Sequence, residues 1–162
     1  MILDYVRNKH TSTIDLEDSS ILARSTVEDI LFAATVEMVI KLPDLEIASA
    51  SGAIKRSFSE ECREAIPLLE KVEGLRVGPG IIKAVERLVG GSDGCPRMAD
   101  LILECCNGVI LRFTADPLRE ILSKGGQKQI AAYKEFVKRN PRLIGGCIAF
   151  VEGSPLREGL EV

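Results

Sequence analysis

Tryptophan is absent from this chain, and only two tyrosines and five phenylalanines occur in it. So few aromatics argue against a carbohydrate platform and against base stacking on single-stranded nucleic acid. There is one histidine, His10. That excludes multi-histidine metal sites and leaves a Ser-His-Asp hydrolase poorly supported. No Cys-x-x-Cys spacing occurs, so neither a zinc ribbon nor a thioredoxin-type redox motif is present. No run of about 18 apolar residues exists, and no transmembrane helix is expected. Asp4 and Arg7 interrupt the N-terminus before an apolar run develops, so no signal peptide is expected either. A basic excess is also missing: the net charge is −3, and no positive field points to nucleic acid.

What is present suits an ordinary globular protein. The chain has 162 residues, 46% of them hydrophobic and 28% charged. That length suggests a single domain, 1–162, able to bury roughly 70% of its unfolded surface without disulfides or metal. Five cysteines without secretory features point to free thiols in a reducing cytoplasm.

The N-terminal third alternates with period two. Ser12, Ile14 and Leu16 stand on one side of a strand, Thr11, Thr13 and Asp15 on the other. Ile21, Ala23 and Val27 alternate with Arg24, Thr26 and Glu28. The clearest strand runs from Thr35 to Leu42, with Val36, Met38, Ile40 and Leu42 opposite Thr35, Glu37 and Lys41. Pro43-Asp44 turns the chain, and Leu45 to Ala50 returns. The pattern predicts an antiparallel sheet of three to five strands with one wet face.

After Ser57 the period becomes helical, so the fold class is α+β, with helices mainly on one face of the sheet. Ser57 and Glu60 have capping-box spacing. Cys62, Ala65, Ile66, Leu69 and Val72 form a stripe, divided by Pro67. Pro79 opens the next helix, with Ile81, Ile82, Val85, Leu88 and Val89 facing inward. A third helix begins near Pro96, a fourth region runs from Asp116-Pro117 to about Asn140, and Leu143 to Val151 suggests a last strand. The buried set is expected to include Ile82, Val85, Leu88, Leu101 and Ile102.

Gly78-Pro79-Gly80 could hold an anion on free backbone N–H groups, but it lacks the spacing and Lys of a phosphate loop and reads first as a Gly-Pro helix entry. Cys105, Cys106 and Cys147 lie in apolar segments and read as packing residues. Cys95 differs: Gly94 and Pro96 flank it at a helix N-terminus, where the dipole and the nearby Arg97 favour thiolate.

His10-Thr11, Glu37-Met38, Cys62, Leu75-Arg-Val-Gly-Pro-Gly, Gly90-Gly91, Gly94-Cys95 and Cys147 together resemble the uncharacterised prokaryotic family DUF2889. Its members usually carry histidines near Glu37 and two residues after Cys95; Arg97 occupies the second place here. The family brings no activity with it. A fainter resemblance is to U-type iron–sulfur cluster scaffolds. The pair Val36–Leu42 and Leu45–Ala50 is similar to their strand pair, and Cys62 and Cys95 to two of their three cysteines. Phe32-Ala33-Ala34 stand where the third would be. The second resemblance implies a scaffold-like fold and a metal site of Cys62 and Cys95 with Glu37 as an acidic partner, taking zinc or an iron–sulfur cluster. The alternative is a non-catalytic interaction module without metal, whose partner is another protein. An enzyme using Cys95 lacks a credible base.

Overall fold

β-Branched residues recur in four strands: β1 Arg7–Asp15, β2 Ser20–Asp29, β3 Ala33–Lys41 and β4 Glu46–Arg56. The computed structural model, which describes residues 4–159, pairs them antiparallel in the order β1-β2-β3-β4. Register fixes the faces. Ser25 lies opposite Val36, Ala23 opposite Met38 and Ile21 opposite Ile40. Val36 in turn lies opposite Gly52, and Met38 opposite Ala50. All of these inward residues but Gly52 are buried, together with Leu69, Val85, Met98, Leu101 and Ile102 from the helical part. The other face carries Arg24, Glu37 and Val39, which stay exposed or half-exposed. The protein is therefore α+β, with the helical segments that follow the sheet, up to residue 112, on one of its faces.

Two compact units make up the chain, Met1–Arg112 and Phe113–Val162. The first contains the sheet, two short 3-10 helices (Glu60–Ala65 and Pro67–Val72), helix α1 (Ile81–Leu88) and most of α2 (Pro96–Leu122). The stripe from Cys62 to Val72 thus forms 3-10 turns, parted at Pro67. No capping box forms: the Ser57 hydroxyl donates to the Ser59 carbonyl at 2.8 Å, and Phe58 is 91% exposed. Pro79 is not the first residue of α1; Gly80, at φ 89°, precedes Ile81. Only glycine adopts that backbone freely. Ile82 is 57% exposed, against expectation, and Ile81 packs against the core instead.

Strand β1 inverts the usual rule. Its apolar Ile14 is exposed, while Thr11 and Thr13 face α2. The helix passes so close there that a Cβ on Gly108 would meet Thr11 Cγ2 at 2.9 Å. Ion pairs flank this contact: Lys9 to Glu104 at 3.6 Å and Arg112 Nε to Asp15 at 2.9 Å. A strand edge that meets a helix through threonine methyls and charges needs no apolar stripe on that side.

The second unit holds the last turns of α2, then α3 (Gly126–Arg139) and 3-10 turns at Pro141–Leu143 and Ile148–Phe150. The helix expected to begin at Asp116 is continuous with α2, and Pro117 lies inside it. The expected strand from Leu143 to Val151 does not form. Gly145, at φ 74°, turns the backbone there, and Ile148 is 90% exposed.

Candidate two-thiol cavity

The β2–β3 turn, the first 3-10 helix and the start of α2 border an open cavity of about 680 Å3. Its walls include Phe32, Phe58, Cys62, Ala65, Cys95 and Arg97. Cys62 comes from the 3-10 turn Glu60–Ala65. Cys95 caps α2: its carbonyl accepts the N–H groups of Met98 and Ala99, each at 3.0 Å, and its own N–H donates to Val89 O at 2.7 Å. Gly94 must be glycine, because a Cβ there would collide with the Val89 carbonyl. Both cysteines are free and half-buried.

Behind the cavity stands Asp29, a buried carboxylate. Its Oδ1 accepts the amides of Leu31 at 2.8 Å and Phe32 at 2.7 Å, which shapes the turn. Its Oδ2 accepts Tyr5 Oη at 2.9 Å and Arg7 Nε at 2.8 Å, with Arg97 Nη1 3.7 Å away. Burial by itself would raise this carboxyl. The amide bonds, with those from Arg7 and Tyr5, outweigh it and hold the group well below the usual carboxylate range. Arg97 also lies over the Phe32 ring, 5.0 Å from its centroid. The arginine two residues after Cys95 is thereby held on two sides.

Among the residues expected from sequence, Cys62 and Cys95 reach the same cavity. Glu37 does not join them: it lies on the opposite face of the sheet, accepting Arg24 Nε at 2.5 Å. His10 is exposed in β1. Cys105 and Cys106 are buried in α2; burial pushes the first thiol up to about 12 and the second up to about 11. Cys147 is exposed, in a 3-10 turn region rather than a strand. Sequence reasoning missed Asp29, Phe32 and Phe58. The signal for Asp29 was legible: an aspartate two and three residues before unpaired amides is an Asx-type turn.

Zinc and iron–sulfur centres commonly take four protein ligands, most of them thiolate or imidazole. Among the described residues no group of three or more His, Cys, Asp or Glu is placed to hold a metal ion. Cys62 and Cys95 share the cavity with the carboxylates of Glu61, Glu64 and Asp93, but no three of these donors converge, so the lining makes no self-contained site for either. No helix among the described residues is long and apolar enough to cross a membrane.

Comparison with curated proteins and with solved structures finds no match to either. Residues 7–110, which contain the whole sheet and every wall of the cavity, match the family described as "Protein of unknown function (DUF2889)", and the chain belongs to that family.

Proposed function

We propose that this protein is a non-catalytic interaction module that receives a protein partner at the cavity bearing Cys62 and Cys95. The observation that carries the reading is Phe58. A phenylalanine left 91% exposed at the lip of a ligand-sized cavity, with Ile30 67% and Leu31 50% exposed on the neighbouring turn, is an apolar patch with no cover among the described residues. Among the described residues no histidine lines the cavity to serve Cys95 as a base.

A second reading is favoured by the two thiols sharing one cavity. In it they are two ligands of a thiophilic metal, zinc or a cluster, and the partner supplies the rest. Cytoplasmic residence, which keeps both thiols reduced, suits either reading.

Anaerobic purification followed by metal analysis separates them. The first reading expects far less than one metal per chain. Stoichiometric zinc or iron, lost in both Cys62→Ser and Cys95→Ser, would sink it in favour of the second. Docking is tested by placing a photo-crosslinking side chain at Phe58 and, as a control, at Ile82, which is also exposed. A discrete protein adduct from position 58 alone is expected; equal adducts from both positions, or none from 58, would remove the interaction reading.

A further inference from the structure

The charge around the cavity narrows the partner further. Glu61, Glu64 and Asp93 all line it. None of the three forms an ion pair or a side-chain hydrogen bond among the described residues, and all are exposed. Among the described residues the only cation in the lining is Arg97, already engaged by Asp29 and by the Phe32 ring. Arg63, on the same 3-10 turn, is paired with Glu60. The mouth is thus an apolar and aromatic floor edged by three uncompensated carboxylates. Unpaired like charges around a concavity repel one another, and their field strengthens inside low-dielectric walls. A partner that brings apolar surface alone would cover the floor but desolvate these carboxylates without compensation.

Resting on the docking reading above, we infer that the occupant is a basic segment of a partner protein: one large apolar or aromatic anchor flanked by Arg or Lys. The anchor fills the space between Phe32, Phe58 and Ala65. The flanking cations meet Glu61, Glu64 and Asp93, and an arginine can also lie over the exposed Phe58 ring. The cavity, at about 680 Å3, falls within the roughly 300–1,000 Å3 range of ligand-sized clefts. It therefore admits an anchor with part of its neighbours. Trp, Tyr and Arg are the side chains that most often anchor such contacts.

The test uses the full chain, isotope-labelled, and two blocked synthetic heptapeptides. One has a central Trp-Leu flanked by Arg and Lys; in the other every cation is replaced by Glu. Saturable amide shifts at Leu31, Phe58, Glu61, Cys62 and Gly94 with the basic peptide support the inference. Its binding should weaken several-fold between roughly 0.05 and 0.5 M salt. The variant combining Glu61→Gln, Glu64→Gln and Asp93→Asn, all surface changes, should bind it about tenfold more weakly. Equal binding of the acidic peptide, shifts confined to other surfaces, unchanged affinity in the triple variant, or no saturable shift with the basic peptide would each overturn it. The crosslink from position 58 reads docking independently of charge, so failure of the charge argument is told apart from failure of the docking reading.

Discussion

Replacing Leu101 by Ala should destabilise this protein far more than replacing Ile82 by Ala, although both read from the sequence as inner positions of helices. Leu101 is fully buried in α2, within the cluster that includes Met98, Ile102 and Cys105. Removing its branched end forfeits transfer energy and leaves a void that close-packed neighbours fill only partly, so the loss should be about 3–4 kcal/mol. Ile82 is 57% exposed. Less than half of a side-chain burial worth about 1.5–3 kcal/mol is lost there, and the better helix propensity of Ala returns a few tenths. A net change of about 1 kcal/mol or less remains. With an unfolding slope of roughly 2 kcal/mol per molar urea, the midpoint should fall by about 1.5–2 M for Leu101→Ala and by about 0.5 M or less for Ile82→Ala. Urea denaturation followed by far-ultraviolet circular dichroism measures both, with the slope checked for constancy. Equal midpoint shifts at constant slope would refute the packing argument, because they would mean that α1 turns the Ile82 face inward.

Gly52→Ala should cost about 1–3 kcal/mol, since its Cβ would meet Leu69 Cδ1 and the Thr35 carbonyl, both at 2.7 Å, and Met98 Cε at 3.2 Å; an unchanged melting temperature would contradict the β3–β4 register. Asp29 has a depressed pKa in the folded state. Its contribution is therefore complete above the unfolded carboxylate value near 4 and is lost as pH falls toward the lower folded value. The midpoint of Asp29→Asn should accordingly change less than that of the natural chain between about pH 5 and pH 2, and parallel pH curves would disprove the assignment. Iodoacetamide at about pH 8 should modify Cys62, Cys95 and Cys147 in the folded protein and spare Cys105 and Cys106, whose thiols burial holds at about 12 and about 11; mass spectrometry showing early labelling of Cys105 would argue against its burial. Treating the chain as one domain predicts a single calorimetric transition, and two resolved transitions would divide it.

Local pattern settled a good deal. Alternation in Ala23–Val27 and Val36–Ile40 follows from the pleat: one face of each strand must be apolar to be buried, and a single register achieves that. The change of period after Ser57, the division at Pro67 and the helix start at Pro96 were legible because glycine and proline restrict the backbone directly. Other features were decided by contacts between distant segments. Whether Thr11 or Ile14 faces inward depends on how near α2 passes, which the pattern of β1 does not contain. Ile81 and Ile82 are equally apolar, and only the direction in which Gly80 launches α1 chooses between them. Pro117 marks a helix start locally, yet α2 runs through it. The same holds for the site. Sequence could nominate Cys62 and Cys95 by their positions near helix starts, and Glu37 by resemblance. Strand parity, legible in the alternation of β3, already put Glu37 on the face away from Val36 and Met38, whereas only the folded β2–β3 turn, pinned by Asp29, brought Phe32 into the same cavity as the thiols. Hydrogen-bonding capacity and side-chain period are properties of a few neighbouring residues and can be read in order along the chain. Which charges end unpaired around a cavity depends on segments some sixty residues apart, and only the folded chain brings them together.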